Sequence, residues 1–147
     1  MSNLDTRLIE FANGRDSKTI LVGDSALVVN NLIYGVPYFT VYTEHKPMNG
    51  VDLNGFIFEH YHFNDDYQMV NIQNNIWKPS AEKALLDVIV WYPENMNEGS
   101  LIEALQNYQE HNDKSKLYEC ADHYKVPHEF VDYWWKEAEE ESDMSMG

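Results

Sequence analysis

The spacing of apolar residues divides the chain into a first part of mixed short elements and a second part of helices. Residues 79–141 contain four segments whose apolar positions recur at helical spacing. The first segment is apolar on nearly every side, so we expect it to form a central buried helix. The apolar positions of the four segments are Ala84, Leu85, Val88, Ile89 and Trp91; Leu101, Ile102, Leu105 and Tyr108; Leu117, Tyr118, Ala121 and Tyr124; and Phe130, Val131, Trp134, Trp135 and Ala138.

Residues 1–78 have the pattern of a small α/β part. Two short helices are predicted near the N-terminus, at residues 4–11 and 26–32. Segments rich in aromatic and β-branched residues follow at 38–43, 56–63 and 67–77, and they predict strands. Short connections with Asn-Gly turns favour antiparallel pairing.

We therefore predict an α+β fold, in which a small antiparallel sheet with two N-terminal helices is followed by an all-helical C-terminal half packed on it. Residues 1–141 are expected to form a single domain, composed of an α/β part at 1–78 and a helical part at 79–141. Residues 142–147 are expected to form a flexible tail.

The chain is strongly acidic, with 25 acidic and 10 basic residues and a formal net charge of -15. Residues 1–80 hold nine acids and five bases, whereas residues 81–147 hold sixteen acids and five bases. Phosphate binding needs clustered Lys and Arg, so this composition argues against direct nucleic-acid binding. No apolar run reaches the length of a membrane span and no secretory signal is visible, so we expect a cytoplasmic protein that does not bind membranes.

Candidate catalytic residues are few. His60 and His62 would share one face of a strand, but a metal site would need two further ligands, so we expect no metal. Cys120 has His123 one helical turn away, yet its place beside the Leu117 stripe favours a small buried residue in a reducing compartment. The sequence has no Gly-rich phosphate loop and no Gly-x-Ser-x-Gly turn. We therefore expect no enzyme and no cofactor, the alternative being a hydrolase that uses His60 and His62 with a carboxylate.

Three acidic features differ in their surroundings. The Asp65-Asp66 pair and the run Glu139-Glu140-Glu141 have polar neighbours and are typical of solvated charge. Asp87 instead lies inside the most apolar helical segment. A buried carboxylate must be paired, so we expect Asp87 to bond a backbone amide or a basic side chain. The alternative is a polar site that reaches the surface beside Glu82 and Lys83.

Two segments resemble the antitoxin domain of the AbiEi family. Residues 21–43, Leu21-Val-Gly-Asp-Ser-Ala-Leu-Val-Val-Asn-Asn-Leu-Ile-Tyr-Gly-Val-Pro-Tyr-Phe-Thr-Val-Tyr-Thr, resemble its opening helix, loop, proline and strand. Residues 78–88, Lys78-Pro-Ser-Ala-Glu-Lys-Ala-Leu-Leu-Asp-Val, are similar to the family segment Pro-Glu-Lys/Arg-Ala-Leu-Leu-Asp. The block at 82–87 is the specific part, and the looser resemblance runs from about Thr19 to Trp135. It makes Glu82, Lys83 and Asp87 the family-motif residues.

Members of that family are antitoxins of nucleotidyltransferase toxins and of phage-abortive systems, typically with an N-terminal winged helix-turn-helix. The match begins near residue 19 and the chain is acidic, so the resemblance implies the neutralising domain alone. We therefore expect an antitoxin-like or anti-defence protein, acting in a bacterial or phage-infected cell as a monomer or small homo-oligomer. It would neutralise a basic toxin or defence effector by protein–protein contact. The alternative is an acidic DNA mimic that inhibits a DNA-binding protein such as a restriction or CRISPR effector.

The last helix is the predicted partner-binding surface. Tyr133, Trp134 and Trp135 are adjacent and cannot all face inward on one helix, and exposed Tyr or Trp favours binding. An acidic rim surrounds them, formed by Glu137, Glu139, Glu140 and Glu141. The alternative is that Trp134 and Trp135 belong to the core, with Tyr133 as their cover.

Overall fold

The structure is a computed structural model that describes residues 18–35, 39–43, 56–58, 61–73, 75–91 and 98–146. Its strands are β1 (Thr19–Leu21), β2 (Phe39–Thr43), β3 (Phe56–Phe58), β4 (Met69–Gln73) and β5 (Ile76–Pro79). Its helices are α1 (Gly23–Val29), α2 (Ala81–Trp91), α3 (Glu98–Gln109), α4 (Ser115–His123) and α5 (His128–Met146). The predicted α+β class is confirmed, and a run of helices follows the sheet as expected. The helix predicted at residues 4–11 and the Asn-Gly turns lie outside the described residues.

The five strands form one mixed sheet in the order β3-β2-β1-β5-β4. The antiparallel pairs are β1 with β2 and β4 with β5, whereas β1 pairs with β5 and β2 with β3 in parallel. The prediction of an antiparallel sheet was therefore wrong for two of the four pairings. The central strand β1 joins β5 over a long stretch of chain, and local turn signals carry no information about such a pairing.

Helix α2 lies at the centre of the fold. Seven consecutive residues, 83–89, are buried in it, because the helix packs against α1, β5 and the three later helices. Its apolar side chains join one core cluster with residues of β1, α3, α4 and α5. The central buried helix predicted from the sequence is therefore confirmed.

Two boundaries differ from the predictions. Helix α5 continues to Met146, so the backbone of residues 142–146, where we expected a flexible tail, is helical. The aromatic pattern predicted a strand at 56–63, but residues 61–63 are not part of β3 (Phe56–Phe58) or of any other strand. None of the helices in the described segments is both long and apolar enough to span a membrane.

The first helix begins with an unusual backbone conformation. Gly23 has φ +54, and a Cβ built there would lie 3.3 Å from Thr40 Cγ2. The backbone N–H of Thr40 donates a hydrogen bond to Ser25 Oγ at 2.7 Å, so the side chain of Ser25 joins β2 to α1 and does not cap the helix. Helix α1 is thus held close to the sheet at a position that requires glycine.

Candidate functional site

Helix α5 packs against α3 through one apolar stripe. Val131 and Ala138 are fully buried, and Trp135 is 9% exposed with its ring edge-on to Tyr108 at 6.1 Å. Two amides of α3 donate hydrogen bonds to the α5 backbone, from Gln106 to Ala138 O at 3.2 Å and from Gln109 to Trp135 O at 2.9 Å. Trp135 therefore belongs to the core, in agreement with the alternative that the sequence left open, and is not on the exposed surface predicted for partner binding.

The neighbouring side of α5 leaves aromatic rings in solvent. Phe130 is 47% exposed and Tyr133 is 58% exposed, and both belong to the few large hydrophobic side chains that the described residues expose. Trp134 is half-buried and stands edge-on to Tyr133 at 5.1 Å between ring centroids. Helical spacing places Phe130, Tyr133, Trp134 and Glu137 together, and we call these four residues the α5 face. It combines amphipathic rings with a half-buried carboxylate.

Negative charge surrounds the α5 face. Glu139, Glu140 and Glu141 are exposed on the following turns. The whole helix carries seven acidic residues and one lysine, Lys136, whose Nζ lies 3.9 Å from Glu140. The pair is largely exposed, so it neutralises little of this charge.

The start of α5 is fixed by contacts with α4. Lys114 Nζ lies 3.1 Å from Asp132 Oδ1, and the Tyr118 hydroxyl donates a hydrogen bond to the same carboxylate. These hydrogen bonds, that of Tyr118 first, hold the pKa of Asp132 below its usual range. His128 stacks on Tyr118 at 4.0 Å and contacts Asp122 at 2.8 Å. The α5 face is thus presented on a helix anchored at its N-terminal end.

Two of the three family-motif residues, Lys83 and Asp87, are buried, and Glu82 is half-buried. Glu82 accepts a hydrogen bond from the Tyr108 hydroxyl at 2.7 Å. Asp87 is 2% exposed, and burial raises its pKa well above the usual range. We expected Asp87 to be paired, and its Oδ1 has no hydrogen-bond partner among the described residues. Burial favours its neutral carboxylic acid form. Lys83 is fully buried, whereas Glu82 is half-buried.

Lys83 organises a polar cluster that the sequence did not predict. Its Nζ donates hydrogen bonds to Asp65 Oδ1 at 3.0 Å, Asp65 O at 3.1 Å and Tyr67 O at 2.7 Å. Burial, opposed by Asp65, lowers the pKa of Lys83. All three donors of the ammonium group are thus used within the fold.

Residues of α4 complete this cluster. The Tyr124 hydroxyl donates a hydrogen bond to Asp65 Oδ1 at 2.6 Å, and His123 Nε2 lies 3.6 Å from Asp65 Oδ2. Although partial burial acts to raise it, hydrogen bonds from Tyr124 and Lys83 hold the pKa of Asp65 below its usual range. His123 also stacks on Tyr67 at 3.6 Å. The cluster joins the segment before β4 to α2 and α4, and this is a structural role. The sequence-based view of Asp65 as solvated charge was thus incomplete, because its partners come from distant segments.

The other sequence candidates provide little catalytic chemistry. Cys120 is fully buried, and burial raises its pKa to about 12, which leaves the thiol protonated at neutral pH. His62 is exposed, whereas His60 lies outside the described residues, so the structure does not address this pair. Among the residues that the structure describes, no group of three or more His, Cys, Asp or Glu side chains is placed to hold a metal ion.

Comparisons of the sequence with protein-family models and with curated proteins identify no relatives. No protein-family model matches the sequence, and no curated protein matches it. The resemblance to AbiEi antitoxins therefore stays a prediction that rests on residues 21–43 and 78–88.

Proposed function

We propose that this protein is a non-enzymatic antitoxin-like or anti-defence protein that binds and neutralises a basic protein target through the α5 face. The observation that carries the proposal is the exposure of Phe130 and Tyr133, at 47% and 58%, on a helix whose other side is fixed in the core. Partly exposed aromatic side chains on a rigid element are typical of the residues that dominate binding energy.

The surrounding charge supports a basic target. Helix α5 contains seven acidic residues and a single lysine. Complementary charge accelerates encounter and selects partners, while the buried aromatic contacts supply most of the affinity. A toxin or defence enzyme that handles nucleic acid has such a basic surface. Its assignment as the target rests on the AbiEi resemblance.

Site-specific photo-crosslinking in bacterial cells tests the proposal. A photoreactive phenylalanine analogue placed at Tyr133 should crosslink one defined basic protein. The same analogue at Val70, which is 49% exposed on β4, is the matched control and should not. Tyr133→Ala should weaken binding of the purified target at least about tenfold, and co-expression of the chain should relieve the growth arrest that the target causes. Equal crosslinking from both positions, or full activity of Tyr133→Ala, would contradict the proposal.

Salt separates this mode of binding from DNA mimicry. A DNA mimic would bind through Glu139, Glu140 and Glu141, so its affinity would fall by orders of magnitude between about 50 and 200 mM salt and duplex DNA would displace it. A contact based on Phe130 and Tyr133 should lose much less affinity over the same range. A target affinity that falls steeply with salt and is unchanged by Tyr133→Ala would favour the DNA mimic.

A further inference from the structure

A second surface feature lies between α3 and the loop that follows α1. It is an open groove of about 550 Å³, which we call the α3 groove, and Tyr34, Glu103, Asn107 and Glu110 are among its lining residues. Helical spacing places Glu103 and Asn107 of α3 on one face, and Glu110 directly follows the last residue of the helix. That face differs from the one whose Gln106 and Gln109 bond to α5. The α3 groove is therefore separate from the α5 face.

Hydrogen bonds fix the loop side of the groove. Asn107 Nδ2 donates to Leu32 O at 2.6 Å, and the backbone N–H of Leu32 donates to Leu27 O at 2.9 Å. Asn31 has φ +61, a left-handed conformation that asparagine tolerates, and its N–H donates to Val28 O at 2.9 Å. Leu32 itself is buried in the core. These contacts hold the loop against α3, so Tyr34 extends from a constrained segment.

The groove combines an exposed ring with carboxylates. Tyr34 is 89% exposed, more than any other large hydrophobic side chain in the described residues. Glu103 and Glu110 line the same groove, and none of its described lining residues is Lys or Arg. His111 is the lining side chain that can carry positive charge, and its Nε2 lies 4.0 Å from Glu110, a loose and exposed contact. The groove therefore presents a π-face and negative charge to an incoming group.

We propose that the α3 groove binds an arginine side chain of a partner protein, with the guanidinium against the Tyr34 ring and hydrogen-bonded to Glu103 or Glu110. A guanidinium is planar, so it stacks on an aromatic ring and donates two parallel hydrogen bonds to a carboxylate. A lysine ammonium is more strongly hydrated and makes neither contact as well. This inference goes beyond the proposed function, because it identifies a second contact point and the residue type that occupies it.

An NMR titration of the isotope-labelled chain tests the assignment, with a hexa-arginine peptide as the probe. Backbone amide signals of Asn31, Tyr34 and Asn107 should shift, and hexa-lysine should bind several-fold more weakly while hexa-citrulline should not bind. Tyr34→Ala should weaken binding about threefold. Glu103→Gln with Glu110→Gln should weaken it about tenfold or more.

The matched control removes the same charge from α5. Glu139→Gln with Glu140→Gln should leave the peptide affinity measured from the α3 groove shifts within about twofold of the original value, since these side chains do not line the groove and exposed charges are screened by salt. Each of three results would overturn the proposal. They are signal shifts confined to α5, equal affinity for the arginine and lysine peptides, and an unchanged peptide affinity in both groove variants. The free chain and a peptide suffice for this test. If the proposed function failed in the crosslinking test at Tyr133, the result of the NMR titration would be unaffected. A negative titration would likewise leave the crosslinking result unaffected.

Discussion

Replacement of Lys83 by methionine tests the structural role of the polar cluster. Lys83→Met keeps a long unbranched side chain in a fully buried position, so it leaves no large cavity. It removes the donors to Asp65 O and Tyr67 O, which lie 3.1 Å and 2.7 Å from Nζ, and the ion pair with the Asp65 carboxylate at 3.0 Å. The variant therefore separates the hydrogen bonds of Lys83 from its packing.

The expected loss of unfolding free energy follows from these contacts. Each carbonyl left without a donor costs about 1 to 1.5 kcal/mol. The Asp65 side chain is 50% exposed and can be solvated by water, so its lost ion pair adds only about 0.5 kcal/mol. The sum, about 2.5 to 3.5 kcal/mol, is less than the cost of an uncompensated charge in a dry interior.

Urea unfolding at neutral pH, followed by circular dichroism, measures this loss. Lys114→Met is the matched control, because Lys114 pairs with Asp132 at 3.1 Å with both side chains more than a third exposed, and it should cost less than about 1 kcal/mol. The reasoning would be refuted if the unfolding free energy of Lys83→Met were within about 0.5 kcal/mol of the wild-type value or above it. Packing of the methionine would then compensate for the loss of all the Lys83 hydrogen bonds.

Three further predictions concern single buried positions. Gly23→Ala should destabilise the fold by about 1 to 2 kcal/mol in urea unfolding, because of its φ of +54 and the contact with Thr40, whereas Gly35→Ala, with open space around it, should have little effect. Burial raises the pKa of Asp87, so the folded state keeps a proton that the unfolded chain has released above about pH 4, and this group opposes folding as pH rises. The stability gain of Asp87→Asn should therefore grow as the pH rises above about 4, and a pH-independent difference would contradict this sign. Cys120, with its pKa raised to about 12, should react with a thiol reagent only at the rate of unfolding, and fast labelling of the native protein would contradict its burial.

The helical half was predictable because its apolar positions repeat at 3.6 residues. The sheet was less so. Residues 19–22 are all buried, so β1 shows no alternation by which a three-residue central strand could be recognised. Its parallel partner β5 lies far along the chain, and turn dipeptides report only local connections. Class and order of elements followed from local pattern, whereas the pairing of strands followed from tertiary packing.

The candidate site shows the same limit at the level of single residues. The sequence identified α5 as a surface helix with too many aromatics for one face, and Tyr133 is exposed as expected. The sequence could not decide which of Trp134 and Trp135 is buried. Neighbouring residues point about 100° apart on a helix, and the contact with α3 determines which of the two enters the core. Phe130 was counted with the buried stripe, yet it is 47% exposed.

Burial of the family-motif residues changes what the resemblance can say about binding. Lys83 and Asp87 lie in the core and cannot touch a partner in the folded protein, whereas Glu82 is half-buried and bonded to Tyr108. If the motif is shared with AbiEi antitoxins, what is shared is the way α2 is fixed within the fold, while target choice must come from surfaces such as the α5 face. Substitutions in the motif should then change stability and leave target affinity per folded molecule intact, and Tyr133→Ala should do the opposite. A motif variant that folds normally but loses its target would show that the resemblance extends to function through these residues.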